Sequence, residues 1–147
     1  MDPLPRPDLP HAPSSPSIAA ALNARDTVPR GCLLVVEDSG PLLILIREML
    51  EMHFPHRILG CSTGQDAVEL ARRYRPAAVV LDLVLPDTDG ESVCRALLKH
   101  EETAAIPVVL MSGTQPDLER MQCANLTGFL AKPFQMAALV QTVQAAL

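Results

Sequence analysis

Five polar side chains in this sequence each stand at or just beyond the carboxyl end of a short apolar run. Glu37 and Asp38 follow the first run, Asp82 lies near the end of the third, Ser112 ends the fourth and Lys132 ends the fifth. Three carboxylates brought to one place repel one another, so they must take up protons or bind a cation. A hard dication such as Mg²⁺ fits, because one or two carboxylates commonly hold it while water and phosphate oxygens complete its coordination.

The same residue types also suit nucleophilic chemistry at phosphorus. A carboxylate beside a dication can attack a phosphoryl group and form an aspartyl phosphate. Lys132 would supply a positive charge to the transferred group, and the Ser112 hydroxyl would donate a hydrogen bond to one of its oxygens. Taken singly, each residue has an ordinary alternative, such as a helix cap, a turn residue or a solvated surface charge. The functional interpretation therefore depends on their lying together.

The elements that must position these residues alternate between strand and helix patterns. Most apolar runs are continuous, which is typical of strands covered on both faces of a parallel sheet. Five strand–helix repeats with right-handed crossovers predict an α/β fold. In such open sheets, ligands bind beyond the carboxyl ends of the strands, where these five side chains would meet. The predicted strands are residues 32–36, 57–61, 77–83, 106–112 and 127–132, and the predicted helices are 41–53, 65–74, 91–102, 116–124 and 134–147.

Composition divides the chain into a Pro-rich flexible extension, residues 1–30, and one folded domain, residues 31–147. Half of the 14 prolines fall within the first thirty residues, which cannot build a packed element. A net charge of −5 without a basic stripe argues against direct nucleic-acid binding. No apolar run reaches the roughly 18 residues that a membrane span needs. The 4 cysteines form no CxxC pair, which favours small buried side chains in a reducing cytoplasm over metal or disulfide roles.

Four segments resemble the bacterial response regulator receiver family. They are LLVVED at 33–38, VVLDLVLPDTDG at 79–90, VLMSG at 109–113 and FLAKPF at 129–134. Their order and separations are similar to those of the family, and the resemblance covers essentially all of residues 31–147. It implies a flavodoxin-like doubly wound fold, with a five-stranded parallel sheet in the order 2-1-3-4-5 flanked by five helices.

The resemblance also implies roles for matching positions. Asp82 would be the phosphoacceptor, and Glu37 with Asp38 would hold Mg²⁺ or Mn²⁺ together with Asp82. The backbone carbonyl of Val84 would complete the protein ligands of the ion. Ser112 and Lys132 would contact the phosphoryl group, Ser112 and the aromatic ring of Phe129 would form the conformational switch, and the Lys132–Pro133 peptide bond is usually cis in relatives.

The expected function is that of a phosphoacceptor in a histidine-to-aspartate phosphorelay of the cytoplasm. The donor would be a sensor histidine kinase or a histidine phosphotransfer protein, and output would pass to an unknown downstream protein, with no output domain following. The chain would not be an enzyme acting on separate substrates. One alternative is an aspartyl-phosphate phosphohydrolase, which in the haloacid dehalogenase type carries a second Asp where this chain has Val84. The other is an interaction module that does not take phosphate.

Four departures from the family pattern suggest further expectations. In the first helix, the spacing of a buried face is followed by Leu42, Leu45, Ile46, Met49 and Leu50. Leu43 and Ile44 are surplus to this face, and we expect them to point outward as part of a docking patch for the phosphodonor; the alternative is two scattered exposed apolar residues. Val84 is apolar and cannot position the water that hydrolyses an acyl phosphate. The segment between Ser112 and Lys132 is slightly shorter than in relatives, and helix 134–147 lacks charges for an ion-paired dimer.

Overall fold

The computed structural model describes residues 31–121, 123 and 125–147, so the predicted extension 1–30 lies outside the described residues. Within them, the chain forms a five-stranded, all-parallel sheet in the order β2-β1-β3-β4-β5, as the resemblance implied. In chain order the elements are β1 (Cys32–Val36), α1 (Gly40–His53), β2 (Arg57–Cys61), α2 (Gly64–Tyr74), β3 (Ala78–Asp82), α3 (Gly90–Leu98), α4 (Glu101–Ala104), β4 (Val108–Ser112), β5 (Leu126–Ala131) and α5 (Met136–Ala146).

The three central strands explain why the apolar runs are continuous rather than alternating. Every residue of β1, β3 and β4 is buried, because helices cover both faces of the sheet. Successive side chains of β1 enter opposite cores: Leu34 packs with α2 and α3, whereas Leu33 packs with α1 and α5. The result is a doubly wound sheet with a hydrophobic layer on each face.

Side-chain caps begin three of the helices at the carboxyl edge of the sheet. Ser39 accepts a hydrogen bond from the Leu42 amide at the start of α1, and Thr63 accepts one from the Asp66 amide at the start of α2. Asp89 does the same for α3 through the Ser92 amide. These caps fix the residues at which α1, α2 and α3 begin, and therefore the points at which the loops after β1, β2 and β3 end.

The third predicted helix, 91–102, is interrupted in the structure. It ends at Leu98, and a separate single turn, α4, begins at Glu101. Thr103 is buried and its hydroxyl donates to the Leu97 carbonyl at 2.6 Å, which adds a short hydrogen bond to the long one of 3.5 Å that this oxygen accepts from the His100 amide. The chain bends here to enter β4.

The prediction of a fourth helix at 116–124 is wrong. The described part of that segment contains only a turn, in which the Arg120 amide donates to the Asp117 carbonyl. A helix this short needs a packed apolar face, and among its described residues Leu118, Met121 and Cys123 pack only partly buried against the core. An extended chain also covers more distance per residue than a helix, which suits a short crossover from β4 to β5.

The buried face of α1 is rotated from the predicted one. Ile46 and Leu50 are completely buried, and Leu43 packs partly against the same core. Ile44 is exposed, as predicted, but Leu45 is exposed as well, although the sequence pattern assigned it to the core. Leu43 therefore does not point away from the molecule.

In the part of the chain that the structure describes, no helix is both long and apolar enough to cross a bilayer.

Candidate functional site

The carboxyl edge of the sheet brings the ends of four neighbouring strands together. Val36 of β1 pairs with Leu81 of β3, so Glu37 follows beside Asp82. Asp82 pairs with Met111 of β4, and Ser112 pairs with Ala131 of β5, directly before Lys132. Residues that are far apart in sequence therefore share one rim because parallel strands end on the same side.

A shared ammonium group connects two buried carboxylates at this rim. Lys132 Nζ lies 2.8 Å from Glu37 Oε1 and 3.0 Å from Asp82 Oδ2. Glu37 is 1% exposed and Asp82 is 4% exposed, so both are largely removed from water. Removing such charges from water is costly unless they are paired and hydrogen-bonded, which Lys132 achieves for both. The predicted cis peptide bond between Lys132 and Pro133 is present.

The second oxygen of each buried carboxylate accepts from a backbone amide. The Ser39 amide donates to Glu37 Oε2 at 3.0 Å, and the Val84 amide donates to Asp82 Oδ1 at 3.2 Å. Burial raises the pKa of Glu37, and the hydrogen bonds from Lys132 and Ser39 partly offset this rise. Burial lowers the pKa of Lys132, but its hydrogen bonds to Glu37 and Asp82 outweigh this effect and the net pKa is raised.

Glu37, Asp38 and Asp82 form an acidic cluster that fits a hard dication. Each carboxylate offers one oxygen, and these oxygens lie within 4.8 Å of one another. Asp38 is exposed while the other two are buried, so the cluster opens toward solvent on one side. All the ligands are oxygens, which Mg²⁺ prefers, and three carboxylates leave positions for water or phosphate. The Val84 carbonyl remains a predicted fourth ligand.

Ser112 is positioned at the rim with its hydroxyl already occupied. Its Oγ lies 3.0 Å from Thr114 Oγ1 and accepts a hydrogen bond from the Thr114 amide at 2.9 Å. Phe129, at the predicted switch position, lies on β5 next to Leu110 of β4. Its ring is half-buried against the core that α2 and α3 cover. Their switch roles remain predictions.

Sequence reasoning missed the contact that holds the loop after Asp82. Asp87 accepts hydrogen bonds from the Gly64 amide at 2.8 Å and the Gln65 amide at 3.0 Å, at the start of α2. The partners are more than twenty residues apart, so no local pattern announces them. Thr63, the N-cap residue of α2, was also missed, although the sequence indicates it: Thr63-x-x-Asp66 resembles the capping-box pattern that marks the start of a helix.

Comparisons with known proteins agree with this geometry. The sequence model of the response regulator receiver domain matches residues 33–144. Protein PilH of Pseudomonas aeruginosa is 32% identical over 117 residues, which cover 78% of this chain and 96% of PilH. The polar-differentiation response regulator DivK of Brucella anthropi is 26% identical over 117 residues, covering 78% of this chain and 94% of DivK.

Solved structures give the same result for the fold. The receiver domain of a sensor histidine kinase from Pseudomonas aeruginosa superposes with a TM-score of 0.68 and is 31% identical in sequence. The match covers 78% of this chain and 94% of the chain of that domain. That structure has a magnesium ion coordinated in its active site cleft. The chemotaxis response regulator CheY4 of Vibrio cholerae has a TM-score of 0.71 at 20% identity, covering 80% and 98%, and supports the fold alone.

Proposed function

Because this chain belongs to the family of response regulator receiver domains of two-component signalling, we propose that it accepts a phosphoryl group on Asp82 in a histidine-to-aspartate phosphorelay. The observation that carries the proposal is the convergence of Glu37, Asp38, Asp82 and Lys132 at one rim. A lysine that contacts two buried carboxylates can release one of them and neutralise a phosphoryl oxygen in its place. A cytoplasmic location is part of the proposal and rests on the sequence.

The carboxylates are proposed to hold Mg²⁺, for which Mn²⁺ would substitute. Glu37, Asp38 and Asp82 supply oxygens, and the Val84 carbonyl would add another. When bound, the ion neutralises charge on the phosphoryl oxygens and orients the group for attack. The likeness to a receiver domain with magnesium in its active site cleft supports this assignment.

The transfer step follows from the present contacts of Asp82. One carboxylate oxygen attacks phosphorus in line with the departing histidine nitrogen or acetate oxygen, and an acyl phosphate forms as that bond breaks. The attacking oxygen must exchange its hydrogen bond from Lys132 or from the Val84 amide for the new bond. Where Oδ2 attacks, Lys132 exchanges that oxygen for a phosphoryl oxygen, so its charge stays at the site throughout.

The output is proposed to be a shift between two conformations of one face. The Ser112 and Thr114 hydroxyls are in contact and either can be the donor; where Ser112 donates, it must release Thr114 to donate to the phosphoryl group. Movement of Ser112 would open space for the ring of Phe129, and the coupling in such systems is about 1–3 kcal/mol. The target would be a protein that distinguishes the two states. The chain would catalyse only its own phosphorylation and dephosphorylation.

Labelling with acetyl phosphate tests the proposal. In the presence of Mg²⁺, mass spectrometry should find one added phosphoryl group, located on Asp82. Asp82→Asn should take up none, whereas Asp117→Asn, which changes an exposed carboxylate in the β4–β5 crossover, should be labelled normally. Continuous release of phosphate without a stable adduct would favour a phosphohydrolase, and no reaction at all would favour an interaction module.

The phosphodonor is proposed to dock on the exposed apolar residues of α1. Ile44 is 56% exposed and Leu45 is 45% exposed, one turn after Ser39, whose amide contacts Glu37. Apolar side chains this close to the rim would let a histidine domain bury them while presenting its phosphorylated ring to Asp82. We name Ile44 and Leu45 the α1 patch. Leu43, the other predicted docking residue, packs partly against the core and is left out.

Replacing both residues of the α1 patch by Ser should slow phosphoryl transfer from a histidine phosphotransfer protein or kinase. Labelling by acetyl phosphate should stay normal, because that donor needs no docking surface. Met52→Ser is the matched control, since Met52 is 76% exposed in the last turn of the same helix. Equal slowing with both donors, or no slowing with either, would contradict docking at this patch.

A further inference from the structure

Two cysteines from distant parts of the chain meet beneath α3. Cys94 lies on α3 and Cys123 lies in the crossover between β4 and β5. Their thiols are hydrogen-bonded to each other, and both line one narrow cavity with Thr103 and Ile106. The sequence predicted only isolated buried cysteines, because nothing in the spacing of these two indicates that they meet. Their contact is created by the fold.

The two thiols differ in exposure and in acidity. Cys94 is 1% exposed, whereas Cys123 is only partly buried and reaches the surface. The hydrogen bond from Cys94 lowers the pKa of Cys123, and the same contact together with burial raises the pKa of Cys94. An accessible thiol of lowered pKa beside a buried second thiol is the arrangement found where one cysteine reacts first and the other resolves the product.

The remaining described cysteines lack these features. Burial raises the pKa of Cys32 to about 11 and that of Cys61 to about 12. Their thiols donate to the backbone carbonyls of Tyr74 and Thr63 rather than to another sulfur. They are therefore suitable internal controls for ordinary buried thiols.

We propose that Cys94 and Cys123 are a peroxide-sensitive pair that closes to an intramolecular disulfide. The Cys123 thiolate attacks one oxygen of hydrogen peroxide, the O–O bond breaks, and Cys123 sulfenic acid and water form once the departing hydroxide takes a proton. The Cys94 sulfur then attacks the sulfenic sulfur. The S–O bond breaks, the S–S bond forms, and the hydroxyl leaves as water with the proton of Cys94. Two electrons pass from the sulfurs to the peroxide.

The disulfide would restrain the segment that leads into β5. The crossover contains a single turn among its described residues, and it continues into the strand that carries Phe129 and ends before Lys132. A covalent bond to α3 would join this segment to the core that Cys94 occupies. Oxidation would therefore change the freedom of the same face on which the proposed phosphorylation switch lies, without touching the acidic cluster.

Peptide mapping of the oxidised full chain tests the pair directly. The reduced protein is treated with hydrogen peroxide, the remaining thiols are blocked, and digestion is carried out without reductant. The expected product is one peptide pair linked through Cys94 and Cys123, with an intact mass lower by two hydrogens and restored by dithiothreitol. Links that involve Cys32 or Cys61 instead, or a disulfide that joins only the Cys123 residues of two chains, would overturn the proposal.

Variants separate the two steps. Cys94→Ala should leave Cys123 able to reach the sulfenic acid, which dimedone traps, but unable to form the intramolecular disulfide. Cys123→Ser should abolish both products and leave Cys94 unmodified, because Cys94 is buried. Cys61→Ser should form the disulfide as the unchanged chain does. A disulfide of Cys94 in the absence of Cys123 would contradict the assignment.

Limited proteolysis tests the restraint on the crossover. Arg120 is exposed and lies three residues before Cys123, so trypsin can cut there. The oxidised chain should be cut after Arg120 severalfold more slowly than the reduced chain, and Cys123→Ser should show no such difference after peroxide treatment. An equal cutting rate for oxidised and reduced protein would show that the bond does not restrain this segment.

Discussion

At the scale of single residues, the site is held together by one lysine. Lys132 contacts both Glu37 and Asp82, which are buried and would otherwise repel each other. Replacing only one member of such a buried set leaves an unpaired charge, which costs more stability than the pair contributes. Glu37, Asp82 and Lys132 are therefore interdependent, and we expect substitution of any one of these three to affect folding as well as the proposed phosphoryl chemistry.

Val84, two residues after Asp82, allows a test of how the side chain at this position affects hydrolysis of the proposed acyl phosphate. Its side chain is 66% exposed and its amide donates to Asp82 Oδ1, so it stands next to the reacting carboxylate. An apolar group cannot hold the attacking water by a hydrogen bond, so we expect Val84→Asn to shorten the half-life of the acyl phosphate. Phosphate release after removal of the donor measures this. Val84→Ile should keep the half-life, and an unchanged half-life in Val84→Asn would contradict the argument.

At the scale of elements, the close approach of α3 to the end of β3 explains a glycine. A β-carbon at Gly90 would lie 2.9 Å from the Asp82 carbonyl oxygen and 2.9 Å from Leu83 Cα, and the Gly90 amide donates to the Leu83 carbonyl. Backbone atoms cannot give way as a flexible side chain can. The first turn of α3 is therefore packed directly against the strand end that carries Asp82.

Gly90→Ala should destabilise the fold by about 1–3 kcal/mol and slow labelling of Asp82, because the backbone at β3 must shift. Urea unfolding and acetyl phosphate labelling measure the two effects. Gly40→Ala is the matched control: nothing lies within 4 Å of a β-carbon there, at the first turn of α1. It should be neutral or stabilise by about 0.4–1 kcal/mol. Equal effects of both substitutions would contradict this packing argument.

Asp87 links the loop after Asp82 to the start of α2. Its hydrogen bonds from the Gly64 and Gln65 amides lower the pKa of the carboxyl. A carboxyl whose pKa is lower in the folded than in the unfolded chain adds stability above its unfolded pKa, and this stability is lost as the pH falls through the folded pKa. The contribution should therefore be present at neutral pH and absent in acid.

Asp87→Asn should lower the melting temperature at pH 7, because an amide offers one acceptor where the carboxylate uses two oxygens. The difference from the unchanged chain should shrink as the pH falls below about 4. Thermal unfolding across this range measures it. Asp117→Asn, in an exposed ion pair, should change little at any pH. A difference that persists undiminished in acid would mean that the Asp87 charge is not its cause.

At the scale of the whole molecule, the parallel sheet brings three carboxylates together at one end, where Lys132 contacts two of them. Anything that binds the folded state and not the unfolded state raises stability by mass action. The carboxylates of the cluster come from β1 and β3, so they lie together only in the folded chain. Ion binding and folding should therefore be coupled.

Mg²⁺ at one hundred times its dissociation constant should raise the free energy of unfolding by about 2.7 kcal/mol. Mn²⁺ should act in the same way, and sodium chloride of equal ionic strength should not. Asp38→Asn should remove the effect while sparing the fold, because Asp38 is exposed. Thermal unfolding at several ion concentrations measures this, and full stabilisation of the Asp38 variant would exclude that carboxylate as a ligand.

The sequence by itself determined the five strands, most of the helices between them and the polar residues at the ends of β1, β3, β4 and β5. Buried parallel strands leave continuous apolar runs, and the residue that follows each run can be read directly, as at Asp82 and Lys132. Only the tertiary structure decided which face of α1 is buried. It also decided that the described residues of the β4–β5 segment are not helical, and that Asp87 contacts the start of α2 and Cys94 contacts Cys123. These outcomes depend on packing between segments distant in sequence, and local patterns carry no information about that packing.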